Sequence, residues 1–321
     1  MAYCIQSNIV CVDFAGEARY STGYTICISN DETVYSFGQN ARGALGHEED
    51  YRDRRIVSPS KIPSLKQIRN IDCGNDHTAC VDYNGVVFTF GSNRYGQLGM
   101  GNELNFTHEP QKVNVPSTKQ VNCCEESTFC VSENGELYSF GENEYGQLGI
   151  KDASMKQTLP QKVESLIDID FIRCGGKFFI CRTFNNEFYC CGYNDECQFG
   201  FDSYENENLP MKATNWPDNI IDIKCGKKHT VLLTENGHIF TSGSDYCKQL
   251  GRKINSYFAS TFGKIESTLK YIRIECGDYH TMCIDSNNTL HCFGNNSNGQ
   301  LGVGDTKERG EPTEFPIPNI I

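Results

Sequence analysis

The residues of this chain best equipped for chemistry are its seven histidines and eighteen cysteines. Three of the histidines, His77, His229 and His280, share one context, Cys-Gly-x-x-His-Thr, which brings imidazole, thiol and hydroxyl within six residues. Such a set can in principle bind a metal or activate a nucleophile. The spacings develop into neither. No Cys-x-x-Cys occurs, so the usual zinc knuckle is missing, and no two histidines stand four residues apart. There is no Gly-x-Ser-x-Gly elbow and no glycine-rich loop opening a helix. Carboxylates such as Glu205 and Glu207 scatter over loops, with no spacing that favours a paired-carboxylate hydrolase. The chain reads as a non-enzyme without metal or cofactor. The histidines read as hydrogen-bonding partners of loop backbone beside a tight glycine turn.

The cysteines fall into two phases. Cys73, Cys123, Cys174, Cys225 and Cys276 recur at one interval, and Cys27, Cys80, Cys130, Cys181 and Cys283 at another. A small buried hydrophobe at a fixed strand position explains that recurrence, so the thiols are expected to be packed and reduced. Cys190, Cys191 and Cys197 lie off phase and are the candidates for redox or metal chemistry.

That recurrence points to the elements that must hold these residues. Six glycines, Gly38, Gly91, Gly141, Gly192, Gly243 and Gly294, follow one another at spacings of 53, 50, 51, 51 and 51. Each marks a unit with the same order of signals. The second unit runs from Ile71-Asp72-Cys73-Gly74-Asn75-Asp76-His77-Thr78 through Asn84-Gly85 to Val86–Gly91, then Gly96-Gln97-Leu98-Gly99, and ends near Pro110–Val113. Ile272, Ile274 and Cys276 alternate with Arg273 and Glu275, the period of a half-buried strand. Asn84-Gly85, Asn134-Gly135 and Asn236-Gly237 lie between apolar runs, the strongest short hairpin signal. Four short strands per unit make one propeller blade. No stretch keeps a 3.6-residue period, so little helix is expected. In the tetrads starting at Gly96, Gly146 and Gly299 the glycines allow tight turns and the leucine fills the space between blades. Cys197 and Lys248 replace the first glycine of the tetrad, which predicts a strained or altered turn in units four and five.

The net charge of −12 repels phosphate backbones and anionic lipid heads. The basic cluster Arg52, Arg54 and Arg55 is surrounded by Glu48, Glu49, Asp50 and Asp53 and reads as a solvated loop. No apolar run approaches the ~18 residues of a membrane span, and the start, Met1 to Gln6, lacks the pattern of a signal peptide. The glycosylation-like triplets at Asn105, Asn287 and Asn295 carry little weight without one.

The period near 51 together with Cys-Gly-x-x-His-Thr, Asn-Gly, Phe-Gly-x-Asn and Gly-Gln-Leu-Gly resembles the regulator-of-chromosome-condensation repeat, over roughly residues 18 to 314. Kelch and WD blades carry tryptophan signatures, whereas Trp216 is the single tryptophan here. The resemblance implies blades set around an axis. It also implies, from the family prototype, exchange of guanine nucleotide on the small GTPase Ran and association with chromatin. This sequence departs from the prototype in four respects: six units instead of seven, no basic N-terminal tail, no room for the protruding wedge, and no histidine in half of the units. Family members that sense ultraviolet light use a tryptophan cluster, which a single Trp216 does not supply.

The expectation is an all-β, single-domain β-propeller over residues 1–321, with six four-stranded antiparallel blades, or seven if the termini form a further one. The units span approximately 18–66, 67–117, 118–167, 168–219, 220–269 and 270–319, with 1–17 as a closing segment. A strand from Ile5–Val12 is expected beside Glu314–Ile317, and Cys4–Asn8, which resembles Cys283–Asn287, is the material for a partial seventh blade. Strand residues are committed to packing, so function belongs where units differ. The candidate partner-binding residues are therefore those of the turn after Cys-Gly: Asn75, Asp76, His77, Glu125, Glu126, Lys177, Lys227, Lys228, His229, Asp278, Tyr279 and His280. The corresponding family rim carries partner contacts. The function expected is a protein-interaction platform in the cytoplasm or nucleus, acting as a monomer, with a protein partner and neither nucleic acid nor membrane. The alternatives are a guanine-nucleotide exchange factor for a Ran-like or Rho-like GTPase, using Asp76, His77, Glu126, Asp278 and His280, and a chromatin-associated regulator.

Overall fold

The structure is a computed structural model that describes residues 9–15 (as backbone), 23–40, 42–47, 55–102 and 104–316. The segment 4–8 and the residues Arg52 and Arg54, on which sequence expectations were placed, lie outside the described residues.

The chain is an all-β propeller of six blades, each a four-stranded antiparallel sheet made from one continuous stretch. Among the described residues no helix occurs. The first blade holds β1 (Ile9–Ala15), β2 (Tyr24–Ser29), β3 (Val34–Gln39) and β4 (Arg55–Lys61). The second holds β5 (Ile68–Cys73), β6 (His77–Asp82), β7 (Val87–Ser92) and β8 (Phe106–Lys112); the third holds β9 (Thr118–Cys123), β10 (Ser127–Ser132), β11 (Leu137–Glu142) and β12 (Lys156–Lys162). The fourth has β13 (Ile169–Cys174), β14 (Phe178–Thr183), β15 (Phe188–Gly192) and β16 (Glu207–Lys212); the fifth has β17 (Ile220–Cys225), β18 (His229–Thr234), β19 (Ile239–Ser244) and β20 (Phe258–Lys264). The sixth has β21 (Tyr271–Cys276), β22 (His280–Asp285), β23 (Leu290–Gly294) and β24 (Arg309–Glu314).

The expected pairing of the N-terminal strand with the last segment is not what the structure shows. β1 pairs with β2 of its own blade, and β24 pairs with β23. Each strand thus finds its partner across a short local connection, which costs less loop-closure entropy than joining the chain ends.

Contacts group the chain into two compact units, one of Met1–Ile172, Phe179–Gly192 and Glu207–Pro210, the other of Arg173–Phe178, Tyr193–Asn206 and Met211–Ile321. In each, the core lies between the faces of neighbouring blades. In the first unit Ile26, Ile28 and Leu45 pack with Ile71, Cys80 and Phe90, and Val81, Val87 and Ala79 pack with Val121, Cys130 and Phe140. In the second, Val231, Leu233 and Ile239 pack with Ile274, Cys283 and Phe293. A middle strand covered on both faces loses the in–out alternation; β6, β10 and β18 are buried at every position. The alternation read for Ile272–Cys276 also needs correction. The pairing of β21 with β22 slips between Tyr271 and Arg273, so Tyr271 and Ile274 point inward and Ile272 stands 54% exposed. The extra residue of this β-bulge resets the phase, and the same slip recurs in β5 and β17.

Two side chains explain the Phe-Gly-x-Asn and Gly-Gln-Leu-Gly motifs. The amide oxygen of Asn40, Asn93, Asn143, Asn194 and Asn296, and a carboxylate oxygen of Asp245, each accept the backbone N–H five residues on, at 3.0–3.1 Å. The tetrad turn is thereby tied to the end of the third strand. A hydroxyl or thiol within that strand (Ser36, Thr89, Ser139, Thr241 or Cys292) donates to the carbonyl nine residues on. Cys292 therefore stands in for serine. Cys190 and Cys191 occupy the same strand position and the next one. The Cys191 thiol donates to the carbonyls of Gly146 and Glu207, as the Ser242 hydroxyl does to those of Cys197 and Ala259. Cys190, Cys191 and Cys197 are fully buried. Burial holds Cys191 well above the usual thiol range and Cys197 at about 11. Their place is packing, and in Cys191 and Cys197 the thiolate that redox or metal chemistry needs is suppressed.

The first residue of the tetrad turn lies in the left-handed region in every blade. Glycine meets that need at Gly43, Gly96, Gly146 and Gly299, while Cys197 has φ 58° and Lys248 φ 65°. The strain expected in units four and five is present. Lys248 makes a long 3.8 Å contact with Asp245 in return. The Lys248→Gly variant is expected to gain about 1 kcal/mol, seen as a rise of about 2 °C in Tm; a lower Tm would contradict the account.

Candidate partner-binding rim

The turn after Cys-Gly joins the first and second strands of each blade and is held from below by the third. The N–H after each marker glycine donates to a turn carbonyl: Gln39 to Gly23, Ser92 to Asp76, Glu142 to Glu126, Tyr193 to Lys177, Ser244 to Lys228 and Asn295 to Tyr279, at 2.7–3.1 Å. A Cβ on Gly91 or Gly141 would lie 2.4 Å from that carbonyl oxygen, so the strand can pass this close only as glycine. Neighbouring turns are also linked. Asn75 N–H donates to the Glu125 carbonyl, Gly176 N–H to that of Lys227, and Lys227 N–H to that of Asp278.

The histidines act inside this framework. His77 and His229 are fully buried. His77 Nε2 lies 2.9 Å from Thr128 Oγ1, and His229 Nε2 lies 3.1 Å from Thr281 Oγ1. Each threonine gives its own proton to a tetrad carbonyl, Gln97 or Gln249, so the imidazole donates through Nε2–H. Nδ1 of both rings is buried without a partner. Burial pushes both histidines down to about 3 and His280 to about 4, so all three are neutral at physiological pH. In the first blade Tyr24 takes the position, and its hydroxyl donates to the His77 carbonyl at 2.6 Å.

His77 and His229 are thus fasteners between blades, and a partner on the rim cannot touch their rings; the sequence-based placement of both among partner-contacting residues is corrected by their burial. His280 is half-buried. The glycine of the motif is explained by the ring three residues on: a Cβ at Gly74 would lie 2.2 Å from His77 Cε1, and Gly175 and Gly226 stand in the same relation to Phe178 and His229. The third blade lacks the ring, having Ser127, and there Cys124 replaces the glycine.

The charged candidates are tied to side chains from adjacent loops. Asp76 accepts from Arg42 at 2.7 Å, and Glu126 accepts from the Gln97 amide. Burial, then the charge of Asp76, pushes Glu126 up to about 7. Lys228 donates to Tyr193 Oη at 3.3 Å and Glu196 Oε1 at 3.2 Å. Asn75, Glu125, Lys177, Lys227 and Tyr279 are half-buried, and Asp278 is exposed.

Sequence reasoning missed the tetrad glutamine. Its Oε1 accepts the N–H two residues back at Gln97, Gln147, Gln198, Gln249 and Gln300, and recurrence in five of six units was the signal. It also missed the exposed tyrosines on loops that emerge at the same end of the sheets, Tyr204, Tyr246 and Tyr257; these follow no repeat. Among the described residues no group of histidine, cysteine and carboxylate side chains is placed to hold a metal.

Two outcomes test the fastening. Gly74→Ala should cost about 2–3 kcal/mol by overpacking. Part of that loss should return when His77→Ser is added, the pair that Cys124 and Ser127 make naturally, while the approach of the same Cβ to the Glu125 carbonyl at 2.7 Å stays; additive losses in urea unfolding would refute the ring–glycine relation. In acid, the unfolded chain protonates its histidines near 6.5 while the folded chain does not. Their stabilisation is complete above pH 6.5 and falls as pH drops towards 4 and 3, by about 2 kcal/mol for each of His77 and His229 at pH 5. Glu126 works in the opposite sense, with stability rising as pH falls from 7 to 4.5. His77→Phe should therefore flatten the acid side of a Tm–pH profile, and an unchanged slope would show that His77 is not the titrating group.

The family model described as "Regulator of chromosome condensation (RCC1) repeat" matches residues 31–81, 84–131, 134–181 and 185–233, and a second model of the same description matches 68–97, 220–249 and 271–300. The chain is 30% identical over 288 residues to the ultraviolet-B receptor UVR8 of Arabidopsis thaliana, covering 87% of this chain and 64% of that protein. It is 26% identical over 326 residues to the regulator of chromosome condensation of Xenopus laevis, covering 92% and 63%. It therefore spans less than two thirds of either relative. Among solved structures, Prp20p from Saccharomyces cerevisiae superimposes with a TM-score of 0.81 at 19% identity, over 97% of this chain and 77% of that one. The chain belongs to the regulator of chromosome condensation repeat family.

Proposed function

We propose that this chain is a protein-interaction platform that engages a globular partner at the end of the blades where the Cys-Gly turns and the loops after the third strands emerge. One observation carries the reading. At that end of the fourth and fifth blades, Tyr204, Tyr246 and Tyr257 are 56%, 74% and 73% exposed, with the rings of Tyr246 and Tyr257 5.9 Å apart. Tyrosine presents a large rigid apolar body with a polar tip, which makes it a frequent anchor of protein interfaces. In the same compact unit the Cys-Gly turns add half-buried Lys177, Lys227, Lys228, Tyr279 and His280 and exposed Asp278, polar groups of both signs suited to orienting a partner. The likeness to Prp20p, whose structure was described together with its binding properties to Gsp1p and histones, supports a protein partner.

A second reading, nucleotide exchange on a Ran-like or Rho-like GTPase, draws on the same likeness. It loses His77 from its set, and Asp76 and Glu126 would first have to leave Arg42 and Gln97. A nucleotide-release assay against a panel of small GTPases tests it.

For the platform, affinity capture with the wild-type chain is compared with Tyr246→Ala/Tyr257→Ala/Asp278→Lys and with Tyr83→Ala/Phe184→Ala at the hairpin end. The first variant should lose the captured partner and keep its Tm, and the second should keep the partner. The reverse pattern would place binding at the hairpin end and reject this reading.

A further inference from the structure

At the hairpin end of the fifth blade the structure holds a cleft of about 370 Å³ that the rim does not involve. Its apolar walls are Trp216, Pro217, Phe240 and Phe262, and its polar lining includes His238 and Asp218. The shape is built in. Asn215 and Asn219 bracket the Trp216 loop in the left-handed region, with φ 60° and 57°. Trp216 Nε1–H donates to the Phe199 carbonyl at 2.9 Å, and its ring meets Phe262 edge-on with centroids 5.1 Å apart. The hairpin opposite is pinned by Thr234, whose hydroxyl donates to the His238 carbonyl at 3.2 Å.

Charge is concentrated on one side. Lys270 Nζ lies 2.9 Å from His238 Nε2, an ammonium donating to a neutral imidazole. Burial, then the charges of Lys264 and Lys270, hold His238 below its usual range, so both lysines bear on the same ring. In a chain of net charge −12, Lys270 on the His238 ring, with Lys264 adding its field, sets positive charge at one side of a cleft whose lining carries Asp218.

We propose that this cleft docks an acidic peptide segment of a protein partner, with an aromatic side chain inserted against Trp216, Phe240 and Phe262 and a flanking carboxylate at Lys264 and Lys270. The volume accommodates one aromatic side chain with part of its backbone. Edge-to-face packing suits a ring laid over the exposed faces of the Trp216–Phe262 pair and Phe240, and the carboxylate complements the lysine charge at His238, on the side away from Asp218.

Trp216 is the single tryptophan, so its emission reports on this cleft alone. The full chain is titrated with an acetylated, amidated peptide of sequence Gly-Asp-Glu-Phe-Glu-Asp-Gly under excitation selective for tryptophan. A saturable spectral change is expected. Binding should weaken at least about tenfold when the phenylalanine of the peptide is replaced by alanine, when its acids are replaced by lysine, or in the Lys264→Glu/Lys270→Glu variant. The Tyr246→Ala/Tyr257→Ala variant should titrate like the wild type, which separates this site from the rim. No saturable change, equal binding of either control peptide, an unaffected lysine variant, or the same change from sodium phosphate alone would each overturn the proposal.

Discussion

The rest of the structure depends on how the turn after Cys-Gly is held. Its carbonyl takes the N–H that follows the marker glycine of its own blade, and in the second and fifth blades its histidine ring reaches the threonine of the next. A four-stranded sheet exposes apolar surface on both faces and is marginal alone. Packing against neighbours removes that surface from water, but apolar contact is non-directional and sets no register. A donor on a buried imidazole that meets a single hydroxyl, itself committed to a tetrad carbonyl, does set it: a slip between blades would leave those polar groups buried and unpaired, at about 1–3 kcal/mol each.

The same construction limits what the rim can offer. Side chains that look reactive in isolation are spent on the fold: His77 and His229 on threonines, Asp76 on Arg42, Glu126 on Gln97, Lys228 on Tyr193 and Glu196. The exposed apolar groups follow no repeat: Tyr204, Tyr246 and Tyr257 stand at one end of their blades, and the Trp216 cleft opens at the other. Repetition builds the scaffold, and the proposed recognition sites lie at the departures from it.

Departures also show the tolerance of each part. Ser127 with Cys124 is a coordinated change, because losing the ring frees the space that glycine had kept open. Phe178 keeps the ring but not its donor, and the hydroxyl of Thr230, the threonine of the next blade, is buried without a hydrogen-bond partner. Lys248 and Cys197 keep the turn at the cost of left-handed backbone. None of these changes alters the strand order, as expected when stability is spread over many nearest-neighbour contacts.

Much of the architecture was legible in the sequence, because it rests on local signals repeated six times. The marker glycines, the Asn-Gly hairpins and the recurring cysteines determine four strands per unit, six blades and thiols that serve as packing. Local signals fail where an interaction spans about 50 residues. The partner of His77 is Thr128, and no spacing within one unit names it. Likewise β1 sits in the first blade and not beside the last segment, and a bulge turns Ile272 outward against its alternation. By itself the sequence determined what each blade is, since hairpins and strand periodicity are properties of adjacent residues. Only the tertiary structure decided which polar side chains are consumed between blades and which face solvent, since burial and hydrogen-bond partnership arise when separate blades meet.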